Sequence, residues 1–227
     1  MDIYVLTYSE KLTWKELEGY LGCLTPARKR GILKKKQETD KINALLSRLL
    51  VLSEITRRTG IPQNKIRFDF GKHGKPYIKK SGLQFSLSHT KGAICAAFSA
   101  MPAQGENTDA YETSHVDDAG EIGIDVERRD RRVNPAVYDR TLANDEKPLV
   151  RSSEDFIRCW VKKEAFLKRT GFGIVSDLRG INTNILPDTA AFDRDGLIIG
   201  ASGRGALTAS VISVTLDELL GRYTKIN

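Results

Sequence analysis

Gly123-Ile124-Asp125-Val126-Glu127 and Trp160-Val161-Lys162-Lys163-Glu164-Ala165-Phe166-Leu167-Lys168 are the two stretches that decide how this chain is read. The first has the character of a strand. Strand side chains alternate, so Asp125 and Glu127 share one face while Ile122, Ile124 and Val126 share the other. The second has the period of a helix. At about 100° per residue, Phe156, Ile157, Trp160, Val161 and Leu167 form an apolar stripe, with Arg158, Lys162 and Arg169 opposite. Glu164 falls within the stripe and Lys168, one turn on, at its edge. A charge facing a core is costly unless it is paired or metal-bound. One reading is an internal Glu164–Lys168 ion pair at i,i+4 spacing. The other joins Glu164 to the two strand acids, since three convergent carboxylates suit a hard divalent cation. The strand acids need a countercharge too, which favours the second.

Working outward, the 227 residues suffice for one large domain or two small ones. Hydrophobic residues make up 40% and charged residues 29%, which excludes a disordered or fibrous chain. Cys23, Cys95 and Cys159 are odd in number and form no C-x-x-C, so neither a disulfide framework nor a zinc site is indicated and buried reduced thiols are expected. The start, Met1-Asp2-Ile3-Tyr4-Val5-Leu6, is strand-like and lacks a basic lead-in. No signal peptide and no membrane span are expected, and a cytoplasmic location follows. The net charge of +7 favours an anionic partner without saying which.

The N-terminal third reads as a strand over Ile3 to Tyr8 and a modest helix over Leu12 to Leu21. Thr25-Pro26 then opens a basic stretch with Arg28, Lys29, Arg30, Lys34, Lys35 and Lys36. A strong amphipathic helix follows over about Glu38 to Thr59, with Ile42, Leu45, Leu46, Leu49, Leu50, Leu52 and Ile55 at helical spacing. Strands are expected at Ile66 to Phe70, Leu83 to Ser88 and Ala93 to Phe98. Gly71 to Pro76 forms a glycine-bracketed loop. Ser99 to Ala119 is polar and nearly free of aliphatic residues, a linker or surface loop. Strands at Ile122 to Val126, Gly180 to Asn184, Gly196 to Ile199 and Leu207 to Val214 surround the Glu164 helix. The division is 1–105, a polar linker at 106–120, and 121–227: an α+β chain of two similarly built halves.

Four motifs stand in order: Gly74-Lys75-Pro76-Tyr77-Ile78, Phe85-Ser86-Leu87-Ser88-His89-Thr90, Gly123 to Glu127, and Trp160 to Lys168. In combination they resemble the 4′-phosphopantetheinyl transferases of the surfactin-synthetase-activating type, over most of the chain from Thr25 to about Gly173. The resemblance implies a fold of two pseudo-symmetric α/β halves with the active site in the cleft between them. It implies transfer of the phosphopantetheine arm of coenzyme A to a serine hydroxyl of an apo acyl or peptidyl carrier protein, with Mg²⁺ or Mn²⁺ and release of adenosine 3′,5′-bisphosphate. It further implies a monomer, with no membrane or nucleic-acid partner.

By the same resemblance, Asp125, Glu127 and Glu164 hold the metal, and Glu164 or a water it orients accepts the serine proton. Lys168 faces the pyrophosphate, its alternative being the internal pair with Glu164. His89 contacts phosphate, although a lone histidine is usually structural. Ser88 donates to a phosphate oxygen or simply closes a strand-end turn. Lys75 lies near the adenosine side or is a solvated hairpin lysine. Among the basic residues, Arg28, Lys29, Lys34 and Lys36 are candidates for the 3′-phosphate and the rest form a solvated face. Trp160 is read as core packing. The motif departs from many relatives at Thr90, which keeps the hydroxyl, and the segment before Gly123 is longer and more acidic than usual. Arg128, Arg129, Arg131 and Arg132 either dock an acidic carrier or form a flexible basic loop. Two other readings remain: a nucleic-acid-binding module, suggested by the basic clusters though aromatics are only 7%, and a relative that binds coenzyme A without turnover.

Overall fold

The computed structural model describes residues 1–71, 74–78, 81–100, 122–171 and 177–224. The polar linker at 106–120 therefore lies outside the described residues. The elements run β1 (Asp2–Thr7), α1 (Trp14–Leu17), α2 (Pro26–Leu33), α3 (Glu38–Thr59), β2 (Asp69–Phe70), β3 (Pro76–Tyr77), β4 (Leu83–Thr90), β5 (Ala93–Ala100) and β6 (Ile122–Arg128). They continue with α4 (Tyr138–Thr141), α5 (Ser153–Thr170), β7 (Thr189–Arg194), β8 (Leu197–Gly203), β9 (Ser210–Val214) and α6 (Leu216–Leu220). The fold is mixed α+β. Its main sheets have the strand orders β4-β5-β1-β9 and β6-β8-β7.

Four layers result from how the apolar faces are matched. On the first sheet, Leu6, Phe85, Ile94 and Phe98 point toward α3 and meet Leu45, Leu46, Leu49 and Leu50. The opposite face offers Ile3, Val5, Cys95 and Ala97, which pack against Ile122, Ile124 and Val126 of β6 and Ile199 and Ala201 of β8. The outer face of the second sheet is covered by α5 through Ile157, Val161 and Ile198. The order is thus helix, sheet, sheet, helix. The expected alternation in β6 holds: its isoleucines and valine enter the inter-sheet core, and its acids face the α5 side.

Several elements differ from expectation for identifiable reasons. The Leu12 to Leu21 helix shrinks to Trp14–Leu17 followed by a 3₁₀ segment, Glu18–Cys23, in keeping with the poor helix propensity of Gly19 and Gly22. Of Ile66 to Phe70, only Asp69–Phe70 is strand, paired with Pro76–Tyr77, where proline lacks a ladder donor. Gly180 to Asn184 is not a strand but a turn, in which the Asn182 side chain accepts from the Asn184 N–H. Thr189–Arg194 is a strand that the sequence reading lacked. The last strand, β9, returns to pair in parallel with β1. The C-terminal residues therefore close the first sheet and its core although they follow residue 121 in the chain. Of the three thiols, all free, only Cys95 is buried; Cys23 and Cys159 are half-buried.

Two features set the position of α5. Ser152 caps its start by accepting from the Asp155 N–H, and Gly171 ends it at φ 70°, in the left-handed region open to glycine. Between these ends the helix lies directly on strand backbone. An ideal Cβ at Gly123 would fall 1.8 Å from the Ala165 carbonyl oxygen, and one at Gly200 would fall 2.1 Å from that of Val161. From its other flank α5 is held by Lys163, fully buried and paired at 2.5 Å with Glu146, which is 1% exposed. The ammonium also donates to the Thr141 and Leu178 carbonyls. Glu146 accepts from the backbone N–H of Ala143 and Thr183 and from the Thr183 hydroxyl. Every charge in this buried pair has its hydrogen bonds, which is the condition under which such a pair is tolerated.

These contacts give two expected outcomes. Gly123→Ala forces backbone apart and lowers unfolding free energy by about 3 kcal/mol or more, whereas Gly31→Ala in α2, with nothing within 4 Å of its Cβ, leaves stability unchanged or raises it by up to about 1 kcal/mol; urea unfolding of both distinguishes them. Glu146→Gln strands the Lys163 charge and costs about 3–5 kcal/mol, read as a lower urea midpoint. A midpoint equal to that of the wild type shows the pair to be dispensable.

Candidate functional site at the seam between the sheets

Strand β6 has β8 on one edge, and its other edge faces β4. On β4, Phe85 and Leu87 turn toward the α3 core, so the alternate residues Ser86, Ser88 and Thr90 turn toward β6. Each hydroxyl makes a bond there. Ser86 Oγ accepts from the Ile124 N–H at 3.1 Å. Ser88 Oγ donates to Asp125 Oδ1 at 2.8 Å. Thr90 Oγ1 donates to Glu127 Oε2 at 3.3 Å. From the other side, α5 brings Lys168, whose ammonium donates to Asp125 Oδ1 at 2.6 Å and to Ser88 Oγ at 2.8 Å. Ser88, Asp125 and Lys168 therefore close a hydrogen-bonded triangle that joins three elements.

The two other expected metal ligands stand near this triangle. Burial, then the negative charge of Asp125, pushes the Glu164 carboxyl above its usual range; Lys168 opposes the shift and Glu127 adds to it. Glu127 is likewise raised by burial, with Arg131 opposing and Asp125 adding. Glu127 is held by an ion pair to Arg131. Among the described residues no ion pair joins Lys168 to Glu164; the lysine goes to Asp125 instead. As arranged, no three His, Cys, Asp or Glu side chains among the described residues form a cluster able to hold a metal ion. The donor set nonetheless fits a hard divalent cation. It consists of three carboxylates, the charge of Asp125 raising the pKa of both Glu127 and Glu164, an excess of negative charge that Lys168 and Arg131 only partly offset.

The remaining candidates are dispersed around this centre. His89, at the end of β4, keeps an exposed edge; loss of solvent on its inner side, followed by the ammonium of Lys168, holds its pKa below the ordinary value. Lys35 and Asp40 also act on it, which brings the start of α3 close to the seam. Arg28, Lys34 and Lys36 are exposed and Lys29 is half-buried. Among the described residues no ion pair holds any of the four. The Lys75 ammonium donates to the Ile122 carbonyl at 3.1 Å and the Arg169 carbonyl at 2.9 Å, so it is not a solvated hairpin lysine. It thereby ties the β3 region to the start of β6 and the end of α5. The basic cluster after β6 is largely neutralised within the chain. Arg128 pairs with Glu10 and Asp130, Arg129 with Asp193 and Glu154, and Arg131 with Glu127. Arg132 is exposed.

Two residues were missed by sequence reasoning. Lys163 was passed over as one more polar residue of α5; the buried partner that explains it, Glu146, is far along the chain. Arg48 lies 4.1 Å over the Phe68 ring. Burial, then the like charge of Arg28, pushes its guanidinium down to about 10. The signal was an arginine inside the apolar run of α3. The Trp160 reading stands closer: it packs beside Ile157 and Val161 and stacks on Phe156 at 6.1 Å between ring centres.

The raised Glu164 carboxyl has a consequence for the metal-free protein. Its folded pKa lies above its unfolded value, so the folded state binds that proton more tightly. Ionising it therefore costs stability as pH rises through the folded pKa, and the cost persists at neutral pH. In chelator-treated protein, Glu164→Gln is expected to raise the urea midpoint near neutrality and to lose that advantage when pH falls below the ordinary carboxylate range. A variant no more stable than the wild type near neutrality contradicts this charge assignment.

Residues 11–100 match the family model described as 4′-phosphopantetheinyl transferase, N-terminal, and residues 121–199 match that of the 4′-phosphopantetheinyl transferase superfamily. The chain is 24% identical over 197 residues to the 4′-phosphopantetheinyl transferase Sfp of Bacillus subtilis (strain 168), a match covering 83% of this chain and 78% of that protein. It is 28% identical over 159 residues to the 4′-phosphopantetheinyl transferase psf-1 of Bacillus pumilus, covering 67% and 60%. It is 28% identical over 189 residues to the L-aminoadipate-semialdehyde dehydrogenase-phosphopantetheinyl transferase of Saccharomyces cerevisiae (strain ATCC 204508 / S288c), covering 78% and 64%. In the last two cases the match spans less than two thirds of the relative's length. The two family matches follow one another along the chain, and the seam between the sheets is built from both: the chain belongs to the 4′-phosphopantetheinyl transferase superfamily.

Proposed function

We propose that this protein transfers the 4′-phosphopantetheine arm of coenzyme A to a serine hydroxyl of an apo carrier protein, releasing adenosine 3′,5′-bisphosphate. The observation that supports this most is the Ser88–Asp125–Lys168 triangle at the sheet seam, with Glu127 and Glu164 bearing on the same charge. Asp125, Glu127 and Glu164 would hold Mg²⁺ or Mn²⁺. Bound there, the cation would neutralise charge on the pyrophosphate oxygens.

The chain's own groups supply the rest. The serine oxygen of the carrier forms a bond to the phosphorus nearer the pantetheine. The bond from that phosphorus to the bridging oxygen breaks, and the electron pair leaves with the adenosine bisphosphate. The serine proton passes to Glu164 or to a water that Glu164 orients. Lys168 places a positive charge where negative charge develops. His89, together with Arg28, Lys29, Lys34 and Lys36, would bind the phosphates of the coenzyme. One chain supplies both sides of the seam, which supports action as a monomer; the expected setting is the cytoplasm. Among the described residues no helix is long and apolar enough to cross a membrane. The carrier would belong to fatty-acid, polyketide or peptide assembly, or would be part of a dehydrogenase such as the L-aminoadipate-semialdehyde dehydrogenase for which the yeast relative is named.

Incubation with coenzyme A, Mg²⁺ and a panel of apo carriers, followed by intact-mass measurement, is expected to show one carrier gaining a single phosphopantetheine arm. Asp125→Ala and Glu164→Ala abolish the gain, since losing a metal ligand removes on the order of several kcal/mol of transition-state stabilisation, and Lys168→Ala lowers turnover strongly. Failure of the folded wild type on every carrier defeats the proposal, and near-normal transfer by Asp125→Ala defeats the site assignment.

A further inference from the structure

We infer that Arg48 is a specificity-determining residue: its guanidinium, with that of Arg28, binds the 3′-phosphate of coenzyme A and so sets a preference for coenzyme A over the 3′-dephospho form. The inference rests on the proposed transferase reading and adds a residue to it. Arg48 stands in α3 between the buried residues Ser47 and Leu49. It is half-buried, and its guanidinium sits 4.1 Å over the Phe68 ring. Among the described residues no acid pairs with it, and the one charge that bears on it is the like charge of Arg28 on α2. Arg57 and Arg58, later on the same helix, are different: they bond to Glu54, Asp2 and the Tyr4 hydroxyl. Two neighbouring guanidinium groups without an acid carry charge that the fold does not neutralise. The ring face supports Arg48 from one side, and its N–H donors lie in the guanidinium plane, a fork that can meet a phosphate bidentately.

Position decides which phosphate it meets. Strand alternation puts Phe85, Leu87 and His89 on the face of β4 turned to α3. At one end of that face the charge of Asp40, near the start of α3, bears on His89. Further along, the Phe68 ring under Arg48 stands edge-on to Phe85, with ring centres 5.7 Å apart. Two rulers give the separation. Asp40 to Arg48 is about 12 Å along a helix at 1.5 Å per residue, and His89 to Phe85 is about 13 Å along a strand at 3.3 Å per residue. The backbone of Arg48 is thus more than two helical turns from the His89 end, where Lys168 and the three acids gather. That is too far for Arg48 to share the reacting pyrophosphate with them. The phosphate of coenzyme A that lies away from the pyrophosphate, at the adenosine end, is the 3′-phosphate. Arg28 reaches the same place from α2, which packs on α3 through Ile32.

The test compares wild type, Arg48→Met and Arg57→Gln in two arms. Arg48→Met keeps an unbranched stem over Phe68 and removes the charge. Arg57→Gln removes the same charge from the far end of the helix. In the first arm, adenosine 3′,5′-bisphosphate and adenosine 5′-monophosphate are titrated into the protein by calorimetry, with no turnover required. In the second, kcat and KM are measured for coenzyme A and for 3′-dephospho-coenzyme A with a carrier that the wild type modifies. Wild type is expected to bind the bisphosphate more tightly than the monophosphate. Arg48→Met is expected to weaken the bisphosphate by about 10–100-fold, the size of a charge-assisted hydrogen bond, with the monophosphate within about twofold. Its KM for coenzyme A rises accordingly, while KM for the dephospho form and kcat for both stay within about twofold. Arg57→Gln is expected to change neither preference. An Arg48→Met protein that keeps the wild-type preference overturns the inference, because the arginine then only covers Phe68. Equal loss for both nucleotides, or a wild type without preference, overturns it as well. Urea midpoints identify a variant that fails to fold; Arg48→Gln, neutral but polar, then takes its place under the same criteria. A nucleotide preference that depends on Arg48, in a wild type that modifies no carrier, leaves the inference standing and defeats the transferase reading instead.

Discussion

The close seating of α5 on the backbone of β6 and β8 is the constraint from which the site follows. Helix and sheet normally stand apart by the depth of their side chains. Here Gly123 and Gly200 remove those side chains at the two places where the helix crosses, with ideal Cβ positions only 1.8 and 2.1 Å from helix carbonyl oxygens. The helix therefore sits low enough for the Lys168 ammonium to reach Asp125, two residues along the strand from Gly123. Lys163 and Glu146 fix the same helix against the segment that ends in β7. Lys75 fixes its C-terminal end by binding the Arg169 carbonyl. The orientation of Glu164 is a by-product of these contacts, none of which it makes itself.

Charge explains why the arrangement suits a ligand rather than a closed core. The Lys163–Glu146 pair is balanced and fully hydrogen-bonded, and it lies 0% and 1% exposed. The seam is different. Three carboxylates share Lys168 and Arg131, and two of them are pushed upward by burial and by the charge of Asp125. Near α2 and α3 the imbalance is reversed: burial lowers both the Arg28 and Arg48 guanidinium groups, the charge of Arg28 lowers Arg48 further, and among the described residues no ion pair joins either to an acid. An excess of positive charge beside an excess of negative charge matches a polyphosphate that arrives with a cation.

What was legible in the sequence depended on how local its cause is. The α3 helix was readable to the residue, from Glu38 to Thr59, because its apolar period and the Gly60 stop are both local signals. The face-sharing of Asp125 and Glu127 was readable because strand alternation is strict. The Glu164–Lys168 pair was a fair local reading that tertiary structure displaced, since β6 offers Lys168 a closer carboxylate. Gly180 to Asn184 looked strand-like through its isoleucine, yet Thr183 is drawn to Glu146 and the chain turns there. The return of β9 to β1 had no local signature at all, because parallel pairing across the whole chain is decided by which sheet edge is open. Periodicity treats every lysine as solvent-facing, which concealed Lys163.

The same reasoning changes what the basic surface means. Composition offers +7 charges, and the two richest runs, Arg28 to Lys36 and Arg128 to Arg132, look equivalent in a one-dimensional reading. They are not equivalent in space. Arg128, Arg129 and Arg131 each have acids within the chain, so their cationic field is largely cancelled, and such exposed pairs add little stability. Arg28, Lys29, Lys34 and Lys36 have no such pairs among the described residues, and their neighbour Lys35 acts on His89 together with Asp40. Part of the uncompensated charge thus lies beside the seam, where it favours an anionic group.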